Sequence, residues 1–203
     1  MIKNVIFDLG RVLYNYWPEN DLLNLGFSEE KAELFMSRVF DAPIWKEYDR
    51  GSFDKNEMLN QLCKDFPDMA EDFNTVFDDR WVDRVITVIP ESLEFYYEVK
   101  EKGYKIYILT NFPGDNFAHC RARDSFFDEA DGIVVSAYEK LNKPDHALFR
   151  LLLERYGLKA EETVFIDDMQ YNIEAAGELG IHGICFTTLD DCKKRFKEIT
   201  NEA

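Results

Sequence analysis

Three carboxylates, a hydroxyl, an amide and an ammonium stand out in this sequence because of what precedes each of them. Asp8 follows the apolar run Val5-Ile6-Phe7, and Thr110-Asn111 follows residues 106–109. Lys143 lies in Asn142-Lys143-Pro144, beyond Ile133-Val134-Val135, and Asp167-Asp168 follows Val164-Phe165-Ile166. Taken singly, an Asp that ends a strand is most often a cap or turn residue, a loop lysine is solvated and a threonine merely closes its strand. The same arrangement after four apolar runs points to a shared edge. Carboxylates collected in a poorly solvated cleft repel one another, and a bound cation relieves that repulsion. Two or three carboxylate ligands suit Mg²⁺, which keeps several waters and shares a phosphate oxygen. Thr110 and Lys143 are of the right type to hold the other phosphate oxygens. A carboxylate in line with phosphorus can act as a covalent nucleophile, giving an acyl phosphate that water hydrolyses.

For these residues to meet, the apolar runs must lie side by side with their carboxyl ends together. Residues 5–9, 104–109, 133–135, 164–166 and 183–186 are short and largely apolar, as expected of strands buried on both faces. Helical stretches separate the later ones. One spans 91–102, opened by Pro90-Glu91 and stopped by Gly103; one is opened by Pro144-Asp145-His146 and runs to Tyr156-Gly157; one spans 172–179 and is closed by Gly180. Strands alternating with helices imply right-handed crossovers and a parallel sheet covered on both faces. Ligands of such sheets bind at the carboxyl edge, near the topological switch point.

Residues 14–89 break the alternation and hold no convincing strand. Leu22-Leu23, Leu25, Ala32, Leu34-Phe35 and Val39 recur at helical spacing, as do Met58-Leu59, Leu62 and Phe66. Ser28 with Glu30-Lys31, and Ser52 with Asp54, read as helix starts. The chain therefore divides into a core of residues 1–13 and 90–203 and a helical insertion of residues 14–89.

With 203 residues, 46% of them hydrophobic and 32% charged, the chain affords a packed core and is not disordered. Forty acidic against 24 basic side chains leave a net charge of −16, which repels nucleic acid and anionic lipid surfaces. No apolar run reaches the roughly 18 residues of a membrane span. Met1 to Asp8 shows no signal-peptide pattern, so a cytoplasmic location is expected. Cys63, Cys120, Cys185 and Cys192 form no C-x-x-C pair and are expected to be reduced thiols.

The segments Val5-Ile6-Phe7-Asp8-Leu9-Gly10, Ile108-Leu109-Thr110-Asn111, Asn142-Lys143-Pro144-Asp145 and Val164-Phe165-Ile166-Asp167-Asp168, with Asn172-Ile173-Glu174-Ala175-Ala176 beyond the last, occur in this order. Each alone is a weak signal; together they are strong. Through them the chain resembles the haloacid dehalogenase superfamily, in its subfamily with a helical cap inserted after the first strand. The resemblance implies an α/β fold, a Rossmann-like doubly wound parallel sheet with a small all-helical cap domain. It implies a Mg²⁺-dependent phosphatase of a small phosphorylated metabolite such as a sugar phosphate, monomeric or homodimeric, with no nucleic-acid or membrane partner. Asp8 matches the family nucleophile. Asp8, the carbonyl of Gly10 and the carboxylate of Asp168 match Mg²⁺ ligands, with Asp167 a second or water-mediated one. Thr110 and Asn111 match the phosphate-binding pair, and Lys143 the lysine that neutralises nucleophile and phosphate.

The departure from the family is at Gly10, where most of its phosphatases carry a second Asp that protonates the leaving oxygen and then activates water. Losing a general acid/base typically costs about 10²–10⁴-fold in rate. Positioning and electrostatics carry most of phosphoryl transfer, so activity on good leaving groups is expected, and mutase activity is not. Two alternatives arise from the same residues. One is a 2-haloacid dehalogenase, which also lacks the second Asp but in this family needs no metal and lacks the acidic pair. The other is a weakly active relative that binds a phosphometabolite. Arg11 either reaches the substrate or pairs with an acid. His119 is either a substitute acid or a helix histidine with a packing role, and His146 and His182 read as structural. Tyr14, Tyr16 and Trp17 either pack a hinge or line the leaving-group pocket.

Overall fold

The computed structural model describes residues 1–201. In chain order, β1 (Asn4–Phe7) is followed by β2 (Tyr14–Tyr16) and six helices: α1 (Pro18–Asn24), α2 (Glu29–Phe35), α3 (Pro43–Asp49), α4 (Lys55–Asp65), α5 (Ala70–Val76) and α6 (Trp81–Val85). After β3 (Ile86–Val88) helices and strands alternate: α7 (Pro90–Glu101), β4 (Lys105–Thr110), α8 (Gly114–Arg123), β5 (Gly132–Val135), α9 (Ser136–Glu139), α10 (His146–Tyr156), β6 (Thr163–Asp167), α11 (Gln170–Glu178), β7 (His182–Cys185) and α12 (Leu189–Thr200).

The five strands expected from the apolar runs form one parallel sheet in the order β5-β4-β1-β6-β7. The chain builds outward from β1 to β5, then returns to the other side of β1 with β6, which places the switch point at β1. Alternate residues enter opposite cores. Val5, Phe7, Ile106, Ile108, Val164 and Ile166 pack with α7, α8 and α12 through side chains such as Phe95, Tyr96, Phe117 and Phe196. Ile6, Tyr107, Leu109 and Phe165 pack with Leu148, Phe149 and Leu152 of α10 and Ala175 and Ala176 of α11. Coverage on both faces explains why these strands read as continuous apolar runs.

The helix ends follow local chemistry. Asp145 caps α10 by accepting from the Ala147 N–H at 2.9 Å, and the helix stops at Gly157 in the left-handed region (φ 64°). Ser28 caps α2, accepting from Lys31 N–H at 3.3 Å. For α4 the cap is Asp54, in a reciprocal pair with Glu57 at 2.9 Å each way, while Ser52 donates instead to Glu47.

Residues 18–85 are helical around an aromatic cluster in which Phe40 stacks on Trp81 (ring centroids 5.5 Å) and meets Trp45 at 4.6 Å. At the root of this segment the structure corrects the sequence reading: β2 and β3 pair antiparallel, Tyr14 opposite Val88 and Tyr16 opposite Ile86. Three residues are too few to show alternation, and the strand each pairs with lies some seventy residues away in the chain, so their pairing is not marked locally.

Candidate active site

Sheet register assembles the site. Phe7 pairs with both Ile108 and Ile166, so the next residues, Asp8, Leu109 and Asp167, come to one level at the carboxyl edge of the sheet, Asp8 just past the end of its strand. The Asp8 N–H donates to the Ile166 carbonyl at 2.9 Å. The chain then turns sharply: the Leu9 carbonyl accepts from Leu13 and Tyr14, and Arg11 takes the left-handed region at φ 57°. Gly10 lines the cavity, and a Cβ there would meet no atom within 4 Å.

Lys143 is buried, and its Nζ donates to three acceptors: Asp167 Oδ2 at 2.6 Å, Asp8 Oδ1 at 2.9 Å and the Leu109 carbonyl at 3.1 Å. Burial opposes its charge, but the carboxylates of Asp167 and Asp8 outweigh that and hold the ammonium firmly protonated. Its loop is fixed by Asn111, whose Oδ1 accepts from the Lys143 N–H at 2.8 Å and whose Nδ2 donates to the Lys143 carbonyl at 3.0 Å. Asn111 thus acts on the lysine, with both ends of its amide engaged.

The carboxylates divide the work. Asp167 is fully buried and saturated: Met169 N–H and Asn172 Nδ2 reach Oδ1 at 2.8 and 3.0 Å, while Lys143 takes Oδ2. Asp168 is partly exposed and lines the cavity, with Arg11 Nη1 3.8 Å from its Oδ2. Burial raises the carboxyl of Asp8, with Lys143 pulling it back down and Asp167 adding to the rise. Burial and the adjacent Asp167 likewise raise Asp168, against Arg11. Asp8, Asp167 and Asp168 each offer an oxygen within 4.8 Å of the others. All the donors are hard oxygens, and the three carboxylates still outnumber the Lys143 ammonium and the Arg11 guanidinium, which fits a small hard divalent cation.

These residues open on a cavity of about 290 Å³. Asp8, Gly10, Arg11, Lys143 and Asp168 line it from the sheet, and Tyr16, Met36, Phe40, Trp45 and Asp49 from the other side. Of the residues singled out in the sequence, Thr110 is buried at the end of β4 and is not among the lining residues. Arg11 pairs with Asp168, donates to the Tyr16 carbonyl and stacks over Trp17, 4.2 Å from its ring centroid. Tyr14 and Tyr16 line the cavity; Trp17 does not. His119 pairs with Asp83 at 2.8 Å away from the cavity lining, and His146 and His182 contact Glu178 and the Glu161 carbonyl. The four cysteines are free thiols.

The far wall is docked tightly on α8, α9 and the loop that follows α9. Ser136 Oγ donates to the Asp49 carbonyl, Lys140 Nζ to the Gly51 carbonyl and Asn142 Nδ2 to the Lys46 carbonyl at 2.7 Å. Asp115 accepts from Tyr48 Oη at 2.7 Å and from Lys55 N–H at 3.2 Å. Gly51 is essential to this approach: its φ is 73°, and a Cβ there would lie 2.4 Å from the Ala137 carbonyl oxygen. Sequence reasoning missed Asp49, which nothing separates from the other acids around it; Gly51, two residues on, was the available signal.

Residues 2–180 match the family model of the haloacid dehalogenase-like hydrolases. The chain belongs to this family. Among the relatives of this hydrolase, the sesquiterpene phosphatase astK of Aspergillus oryzae is 27% identical over 185 residues, covering 91% of this chain and 90% of its own. A glyceraldehyde 3-phosphate phosphatase of Methanocaldococcus jannaschii is 26% identical over 225 residues, covering 100% and 90%. A haloacid dehalogenase family enzyme of Bacteroides thetaiotaomicron, solved with magnesium and inorganic phosphate, shares the fold at a TM-score of 0.73 and 20% identity, over 97% of this chain and all of that one. No helix among the described residues is long and apolar enough to cross a membrane.

Proposed function

We propose that this haloacid dehalogenase-like hydrolase is a Mg²⁺-dependent phosphatase of a small phosphorylated metabolite, working through a phosphoryl group carried on Asp8 beneath a helical cap of residues 14–89. The observation that carries this reading is the triangle of Asp8, Lys143 and Asp167. The nucleophile's Oδ1 is 2.9 Å from an ammonium that Asp167 holds from behind at 2.6 Å. Curated relatives named as phosphatases support it.

Asp8, the carbonyl of Gly10 and Asp168 would hold Mg²⁺, with Asp167 behind them. When bound, the ion would offset the charge of the transferring phosphoryl group. The chain's own groups do the rest. Lys143 keeps Asp8 oriented and offers positive charge beside the attacking oxygen. Asp167 and Asn111 fix Lys143 at its side chain and its backbone. Asp8 forms the acyl phosphate, which water then hydrolyses. Phe40, Trp45 and Met36 give the leaving group an apolar wall, and the closed cap excludes bulk water. A cavity of this size takes a metabolite rather than a macromolecule, and the strong negative charge of the chain disfavours nucleic-acid and membrane partners.

Steady-state phosphate release from p-nitrophenyl phosphate tests this. Turnover with Mg²⁺ that EDTA abolishes is the expected result. Metal-independent chloride release from 2-chloropropionate, with no phosphate release, would assign the site to dehalogenation instead.

A further inference from the structure

In a phosphatase built on this site, the leaving oxygen finds no proton donor at Gly10. A carboxylate does reach the same cavity from the opposite wall. Asp49, the last residue of α3, lines the cavity with Asp8 and Lys143, and among the described residues its carboxylate makes no hydrogen bond or ion pair. It is held rigidly, since the contacts of Ser136, Lys140 and Asn142 pin the backbone of residues 46–51 to the core. Close to it, Tyr16 lines the same cavity, and its buried hydroxyl has no hydrogen-bond partner among the described residues. Asp8, Lys143, Arg11 and Asp168 face Asp49 from the core, and Tyr16 and Asp41 from β2 and the cap. Burial pushes the Asp49 carboxyl up to about 8, with Lys143 opposing and Asp8 adding to the rise, so it is a neutral acid near pH 7.

We propose, resting on the phosphatase reading of the site, that Asp49 is the general acid and base of this enzyme, delivered from the cap in place of the carboxylate that Gly10 lacks, with the Tyr16 hydroxyl bonding the same leaving oxygen. In the first half-reaction the bond from Asp8 to phosphorus forms while the bond from phosphorus to the leaving oxygen breaks. That oxygen takes the proton of Asp49 and departs as the alcohol. In the second, the Asp49 carboxylate takes a proton from water as the water oxygen attacks phosphorus, and the bond to Asp8 breaks. One phosphomonoester and one water give one alcohol and one phosphate, and Asp49 is protonated again. Because the acid belongs to the cap, protonation of the leaving group requires the closed form.

The test compares wild type and Asp49→Asn on two esters. The nitrophenolate of p-nitrophenyl phosphate leaves without a proton; the alkoxide of n-butyl phosphate needs one. The expected loss in kcat/KM is about 10²–10⁴-fold on the butyl ester and under about tenfold on the aryl ester. The wild-type rate on the butyl ester should fall as pH rises past about 8, and the variant should lack that limb. Gly10→Asp placed in the Asp49→Asn background should restore turnover of the butyl ester, since a Cβ at that position meets no atom within 4 Å. Equal losses on both esters, or none on the butyl ester, would overturn the assignment with the wild type still active. A wild type that hydrolyses neither ester would instead bring down the phosphatase reading, and this assignment with it.

Discussion

Replacing Lys143 by Met keeps the length of the side chain and removes its charge. The site then holds Asp8, 7% exposed, and Asp167, 0% exposed, without their shared counter-ion. Removing one partner of a buried ion pair typically costs about 3–5 kcal/mol, because the remaining charge is stranded. The exposed parts of the site do not dilute this, since the Lys143 side chain is 2% exposed and its three bonds are internal. With a urea slope of about 2–3 kcal/mol/M for a chain of this size, the unfolding midpoint should drop by roughly 1–2 M. Urea titration followed by tryptophan fluorescence, in EDTA, reads this directly. A second variant separates charge from packing. Lys143→Met combined with Asp167→Asn removes one of the stranded carboxylates, so it should regain a substantial part of the lost stability. Both variants should lose about 10²–10³-fold in turnover, the scale of one preorganised charge at a reacting centre. A midpoint for Lys143→Met within about 0.3 M of wild type, where roughly 1–2 M is expected from the urea slope, would refute the premise that this lysine neutralises the acidic cluster.

The other outcomes come from the same geometry. Asp8→Asn keeps an acceptor for Lys143 and should fold normally, yet phosphate release should fall to background; a wild-type-like rate would rule out covalent catalysis by this residue. Gly10→Asp should leave turnover unchanged or raise it, since a Cβ there meets no atom within 4 Å; loss of phosphate release would show that position to be closed to a carboxylate. Asp49→Asn should alter stability in a pH-dependent way. The folded carboxyl of Asp49 lies well above the ordinary 3.8, so the wild type binds the extra proton when folded and loses stability as pH rises from about 4 to about 8. At about 1.4 kcal/mol per unit, the upper bound between pH 5 and pH 8 is ~4 kcal/mol. The variant should therefore gain on the wild type over this range in paired thermal melts, and parallel curves would contradict a half-buried, unpaired acid.

What the sequence disclosed, and what it hid, divides along the distance over which each feature is encoded. The five sheet strands were legible because burial on both faces writes itself into consecutive apolar residues, and α10 because Asp145 and Gly157 mark its ends chemically. The convergence of Asp8, Lys143, Asp167 and Asp168 followed from their common place at strand ends, and the structure does bring them together. The β2–β3 pair was not legible, being two three-residue strands whose pairing is wholly non-local. Neither was the part played by Asn111, since spacing places an amide near the lysine without showing that each of its ends bonds the lysine backbone while the residue still lines the cavity. Asp49 was hidden among the other acids of residues 14–89, because its standing depends on docking contacts made by Ser136, Lys140 and Asn142 nearly ninety or more residues away.

The decisive measurement is a crystal structure of the protein grown with Mg²⁺ and beryllium fluoride, a mimic of a carboxylate-bound phosphoryl group. The trifluoride should sit on an Asp8 oxygen beside Lys143, with the metal held by Asp8, the Gly10 carbonyl and Asp168. A fully occupied mimic on any other residue, or an empty site with Asp8 turned away from Lys143, would contradict that placement.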